Sequence, residues 1–389
     1  MSSEFPTWPV YADDEIAAVE EVLRSGRVNY WSGEQGSSFE KEFAAYVGTE
    51  HAIALANGTV ALEAALYALG VGDGDEVIVP ARTFIATASS IVMCGATPVV
   101  ADIDLCSGNL TVDTIESART EKTRAVIAVH LGGWPCDMPE IMAYAQTHGL
   151  KVIEDCAQAH GAEINGRKVG SFGHAAAFSF CQDKIISTGG EGGMLVTDDQ
   201  DIWKKVWSLK DHGRDYDEVF NRDHEPGHRW LCTTFGTNWR LTEMQSAIGR
   251  IQLKKLPEWL AARRKHAALL IDGLSDLPGL RVHLPDQGFL HAYYRFYAFM
   301  DTEMLQPGWD QHRIIDAITA EGVPCFHGSC SEIYREKAFK QMMRDSYPLP
   351  NAHLAGRSSL ALLVHPNLEP EHIEKTVTAV RAVFKSATA

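Results

Sequence analysis

Lys184 stands between an apolar run, Ala175–Phe180, and a turn that contains Gly189, Gly190, Gly192 and Gly193. A lysine that leaves a strand into a glycine-rich turn can be buried without crowding. Burial lowers the pKa of an ammonium group towards the neutral, nucleophilic amine. Upstream, a second apolar stretch, Val152-Ile153-Glu154-Asp155, ends in a carboxylate. A lysine beyond one strand and an acid at the end of another form the pair that operates on pyridoxal phosphate. The acid keeps the pyridine nitrogen protonated, so the ring withdraws electrons, and the lysine holds the aldehyde as an imine. Most lysines are solvated surface charges, and it is the neighbouring acid that favours the chemical reading.

Other residues could complete such a site. Asn57-Gly58-Thr59 opens an Ala- and Leu-rich helical stretch, where unpaired amides, a hydroxyl and the helix dipole suit a phosphate. The same tripeptide is also ordinary helix capping. Phe84 follows the strand EVIVP and offers a flat apolar face for a pyridine ring, or is a core phenylalanine. Gln158 sits just beyond Asp155, where its amide could reach the cofactor's phenolic oxygen. His160 supports the same face or is a structural hydrogen-bonder.

The elements that must hold these residues alternate regularly. Strands at 76–80, 98–102, 125–130 and 151–155 are separated by helical stretches near 85–94, 112–117 and 138–147. That order predicts a largely parallel sheet covered on both sides. Ligands collect at the carboxyl ends of such strands, where Phe84, His130 and Asp155 converge. After a strand at 193–198 and a helix at 201–210, a long mixed loop carries Lys210, His212, Arg214, His228 and Arg240 towards an anion or into solvent. An amphipathic helix from Leu241 then leads into a smaller part, with a strand at 293–300, a helix at 309–321, a strand at 323–328 and a closing helix at 370–385. The expected division is a large domain over 1–250 and a smaller one over 251–389.

Four motifs carry a resemblance. NGTVALEAAL (57–66), EDCAQAHGA (154–162), SFCQDKIISTGGEGGM (179–194) and GTNWRLTEMQSAIGRIQL (236–253) are similar to those of the DegT/DnrJ/EryC1/StrS sugar aminotransferases. The resemblance implies an α/β, PLP-dependent transferase fold of the aspartate aminotransferase type (fold type I), with a mostly parallel sheet and a smaller α+β C-terminal domain. It implies that Lys184 is the catalytic lysine and that Ser179 joins Gly58 and Thr59 on the cofactor phosphate. It further implies that Asn238 reaches across a homodimer to the neighbouring subunit's cofactor. The loop around Trp31 and Gly33 would lie near the active site, with Trp31 a substrate contact or a buried aromatic anchor. Arg240 and His327 are offered to the donor carboxylate or the sugar. The donor implied is L-glutamate and the acceptor a keto-sugar on a UDP, GDP or dTDP carrier. The segment 322–339 departs from the commoner family pattern, and its Ser329, Ser331 and Tyr334 suggest a subgroup with a different sugar or headgroup.

Other activities stay in view: an acceptor without a nucleotide, a sugar dehydratase of the same fold in which histidine replaces the lysine, and a non-enzymatic PLP-binding regulator. Lys184 argues against the dehydratase, and the chain leaves no length for a DNA-binding module. Composition agrees. With 389 residues, 45% of them hydrophobic, the chain can bury a large core. Its 35 Lys and Arg against 51 Asp and Glu, a net charge of −16, argue against non-specific nucleic-acid binding but leave room for an anionic small substrate in a locally basic cleft. Eight cysteines without a ligand rhythm indicate reduced thiols and no metal site. The N-terminal stretch MSSEFPTWPVYADDE has neither a basic start nor an apolar core, and no apolar run approaches a membrane span, so a cytoplasmic enzyme is expected.

Overall fold

In the computed structural model, which describes residues 5–342 and 347–388, the apolar runs become the centre of one sheet. In chain order, β1 (His51–Leu55), β2 (Glu76–Pro80), β3 (Thr97–Ala101), β4 (Thr123–Val129) and β5 (Lys151–Asp155) are joined by β8 (Ala175–Ser179) and β9 (Gly193–Thr197). Two short strands between them, β6 (Glu163–Ile164) and β7 (Arg167–Lys168), form a separate sheet with β11 (Phe289–Leu290). The seven-stranded order is β1-β9-β8-β5-β4-β2-β3. Strands β3, β2, β4, β5 and β8 pair in parallel, whereas β9 runs antiparallel to both neighbours. The exception has a local cause: no helix intervenes between β8 and β9, so the chain turns back through the loop that carries Lys184.

All five residues of β8 and of β9 are buried, as are four of five in β5, as expected for strands covered on both faces. The helix Gly58–Ala68 is apolar nearly all round and lies against β8 and β9. The 32-residue helix Glu243–Leu274 starts from a capping box between Thr242 and Gln245 and passes through Pro257. It packs first on the helices Asp13–Ser25 and Gln35–Val47, and later on the closing helix Pro370–Thr388. There an antiparallel sheet of order β10-β12-β14-β13 forms from β10 (Leu280–Arg281), β12 (Phe296–Met300), β13 (Cys325–Phe326) and β14 (Ser359–Leu362). The strand expected over 293–300 begins only at Phe296, because Tyr293 takes a left-handed conformation (φ 50°) that breaks extension. Among the described residues no helix is long and apolar enough to cross a membrane. The eight cysteines form no disulfide.

His130 and Glu154 are buried side by side, not exposed at the strand ends. Glu154 accepts from His130 Nε2 at 3.0 Å and from the amides of Gly170, Phe172 and Gly173 at 2.8, 2.7 and 2.7 Å. The amide of Cys136 donates to His130 Nδ1 at 3.0 Å, so Nε2 carries the proton. His130 therefore serves the fold. Burial raises the cost of the Glu154 charge, but the histidine and the three amides outweigh it and hold its pKa below the ordinary 4.5. A carboxyl depressed in the folded state stabilises above its unfolded pKa and loses that contribution as pH falls through the folded value. Glu154→Gln should therefore cost about 3 kcal/mol at neutral pH, with the gap to wild type narrowing below pH 4.5. Denaturant unfolding of both proteins across the acid range would measure it, and a gap independent of pH would refute the assignment.

Candidate active site

The carboxyl ends of the parallel strands and the small antiparallel sheet enclose a cavity of about 800 Å³. Gly58, Thr59, Phe84, Asp155, Gln158, Ser179 and Lys184 all line it, as do Asp183, Tyr294, Arg295, Tyr297, Phe326 and Ser329. The turn Asn57-Gly58-Thr59 enters between β1 and its helix. The Asn57 side chain accepts from the Val60 amide at 3.0 Å, leaving the Gly58 and Thr59 amides without an intrahelical partner. No side chain fits here: a Cβ on Gly58 would stand 2.7 Å from Ser179 Cβ. One on Gly193 would stand 2.4 Å from the Asn57 carbonyl carbon and oxygen. Of the glycines after the lysine, Gly193 thus makes room for this turn, whereas Gly192 makes room for the Thr188 hydroxyl.

Asp155 is 6% exposed. It accepts from Thr87 Oγ1 at 3.0 Å and from the Ala157 amide at 3.2 Å, and Thr87 is in turn hydrogen-bonded to Thr83 at 2.8 Å. Burial nevertheless pushes its pKa up, against these donors and the charge of Lys184. Such a carboxylate is short of one cationic donor, which a pyridinium N–H would supply. Phe84 is 68% exposed and is no part of the core. Gln158, also on the cavity wall, accepts from the Gly132 amide at 2.7 Å through Oε1. Together, the amide cradle, the under-partnered acid, the exposed ring and the lysine amine fit pyridoxal phosphate.

Lys184 departs from expectation in its charge. Burial opposes ionisation, but the adjacent Tyr294 and Asp183 outweigh it and hold the ammonium pKa above 10.5. Nζ donates to Asp183 Oδ1 at 3.0 Å, and the Tyr294 hydroxyl donates to the other oxygen. Burial, with Asp183 behind it, pushes the Tyr294 phenol up to about 12. Asp183 and Tyr294 were not singled out from the sequence. Asp183 is adjacent to the lysine in the chain, but Tyr294 is brought in by the break before β12.

Several expected contacts lie elsewhere. His160 is buried against Phe178 and Phe180, with ring centroids at 5.4 and 5.8 Å, and burial lowers its pKa to about 3. It packs as a neutral ring away from the cavity. Trp31 joins an aromatic cluster with Trp207 and Phe220 at 6.0 and 6.1 Å, beneath the Arg214 guanidinium. Arg240 is spent on buried Asp211, at 2.6 Å. His327 turns outward to His312, at 3.0 Å, while Phe326 and Gly328 on either side face the cavity. Lys210 is buried over the Tyr30 ring at 3.7 Å. Of the three residues noted in 322–339, Ser329 lines the cavity. Tyr334 donates to Glu332 at 2.5 Å in the interior, and Ser331 is buried with it. Asn238 is exposed and outside its own chain's cavity, on the loop that presents Trp230 and Phe235 to solvent.

This constellation matches one family profile, the DegT/DnrJ/EryC1/StrS aminotransferases, over residues 9–381. The chain belongs to that family. It is a PLP-dependent transaminase with the fold the motifs implied. A 3-aminotransferase for UDP-N-acetyl-3-dehydro-α-D-glucosamine from Acidithiobacillus ferrooxidans is 39% identical, over 95% of this chain and 93% of its own. GDP-perosamine synthase from Caulobacter vibrioides is also 39% identical, over 89% of each chain. The crystal structure of an aminotransferase from Psychrobacter cryohalolentis superposes with a TM-score of 0.97, at 49% identity, covering 99% of this chain and 100% of that one.

The ion pair at Lys184 gives a test on the transaminase without cofactor. Imine formation needs the neutral amine, so Asp183→Asn, by letting burial dominate, should speed pyridoxal phosphate uptake several-fold at neutral pH and move its pH midpoint down. Stopped-flow growth of the absorption band measures both. A midpoint equal to wild type would show that Asp183 does not set the charge of the lysine.

Proposed function

We propose that this transaminase moves an amino group from L-glutamate to a keto-sugar carried on a nucleoside diphosphate. The observation that carries the proposal is the convergence of Lys184, Asp155 and the Gly58-Thr59 amides on one cavity with ample room beyond a cofactor. Its volume, about 800 Å³, lies high in the ~300–1,000 Å³ range of small-molecule sites. The relatives named for UDP- and GDP-linked sugars support the acceptor class.

Lys184 is the catalytic residue. When bound, pyridoxal phosphate supplies an aldehyde for the lysine amine and a ring that withdraws electrons from the donor's α-carbon. Asp155 would hold the ring nitrogen protonated, and Phe84 would cover one face of the ring. The Gly58 and Thr59 amides and the Ser179 hydroxyl would hold the phosphate, and Gln158 would border the phenolic edge. With the cofactor bound, the free Lys184 amine would hold and move the α-proton at Nζ. Asp183 and Tyr294 fix where that amine stands. Asn238 reaches the cofactor phosphate of a second copy, which makes the working unit a homodimer with shared sites. The reaction takes place in the cytoplasm.

The purified protein should show an absorption band near the visible edge that bleaches with L-glutamate and returns with a keto-sugar nucleotide. Lys184→Ala should lose the lysine-bound band and about 10⁴-fold or more of the turnover. Bound cofactor whose band ignores glutamate would refute this donor. Turnover with free keto-sugars alone would refute the nucleotide carrier.

A further inference from the structure

Asp155, Asp183 and Glu191 line the cavity, so three carboxylates face a substrate class that is itself anionic. Two cations oppose them. Lys184 is already engaged by Asp183 at 3.0 Å. Arg295 is half-buried, and among the described residues it makes neither a hydrogen bond nor an ion pair. Its guanidinium is instead held between two rings, 5.2 Å from the centre of Tyr294 and 5.7 Å from that of Phe326. A guanidinium held by aromatic faces keeps its five N–H donors free, and that planar fork matches phosphate oxygens.

The position fits as well as the chemistry. Arg295 and Lys184 Nζ both lie 5.2 Å from the centre of the Tyr294 ring, which bounds their separation at about 10 Å. Arg295 stands on the small-sheet side, directly before β12. Phe326, on the other side of the guanidinium, is 46% exposed and lines the cavity. An uncommitted cation beside an exposed aromatic face can take a phosphate and a nucleobase together.

We propose that Arg295 and Phe326 form the subsite for the nucleoside diphosphate of the acceptor, with Arg295 on the diphosphate and Phe326 against the base. The assignment rests on the transamination reading above, and the two fail separately. Glutamate bleaching of the cofactor band tests the reaction; nucleotide affinity of the holoenzyme tests the subsite.

UDP, GDP and dTDP are titrated by calorimetry into holoenzyme of wild type, Arg295→Gln and Arg295→Lys, with thermal midpoint and cofactor absorbance as checks of folding. At least one nucleotide should bind wild type. Arg295→Gln should weaken it by about 10-fold or more, with Arg295→Lys between the two. Equal affinities in wild type and Arg295→Gln would overturn the subsite. So would the absence of nucleotide binding to wild type, or a loss in Arg295→Gln confined to the apparent affinity for L-glutamate, which would make the anion the donor carboxylate. Should Arg295→Gln not fold, wild type alone decides: the parent nucleoside should bind about 10-fold or more weakly than its diphosphate, and equal binding would overturn the assignment.

Discussion

Strand β9 and the turn that ends β1 touch backbone to backbone. With no room for a Cβ at Gly193 or at Gly58, β9 lies directly on the Asn57 carbonyl and β8 ends against the same turn. This contact fixes the amide cradle relative to the loop between β8 and β9, and that loop carries Lys184. The distance between the free amides of the Asn57 turn and the Lys184 amine is therefore set by two glycines and a sheet register rather than by flexible side chains. The antiparallel run of β9 is part of the same constraint, since only a return over the edge of β8 brings Gly193 to Asn57.

Around that frame, charges are balanced in pairs. Glu154 sits one residue before Asp155 and points the other way, as strand alternation requires. It is saturated by three amides and a histidine, whereas Asp155 has one hydroxyl and one amide. Two adjacent acids on one strand thus differ in purpose through the number of donors each meets. Lys184 shows the reverse balance: its burial would favour the neutral amine, but Asp183 and Tyr294 keep it charged until something replaces them.

Much of this was legible in the sequence. The apolar runs gave the strands, and the order of strands and helices gave the sheet. The acid and the lysine flanking adjacent strands gave the chemistry. What the sequence hid was mostly direction. His130 ends a strand as Asp155 does, yet alternation and the loop at 170–173 turn it inward. His160, Arg240 and Trp31 lie near the motifs, but each is held in place by ring packing or by an ion pair that the linear chain does not reveal. Tyr294 and Arg295 were hidden for the opposite reason. They read as part of a strand, and only the left-handed turn at Tyr293 frees them to face the cavity.

Gln158 is held from two directions. Its oxygen takes the Gly132 amide at 2.7 Å, and its nitrogen lies 3.5 Å from the Ser329 hydroxyl. Ser329 in turn meets the Tyr297 hydroxyl, at 3.2 Å from its own hydroxyl and 3.0 Å from its amide. Tyr297 lies against Arg82, a buried cation 4.8 Å from its ring. A wall of the cofactor cavity is thereby tied to a loop of the small sheet. A shift of that loop would therefore be felt at the Gln158 amide through the two hydroxyls of Ser329 and Tyr297.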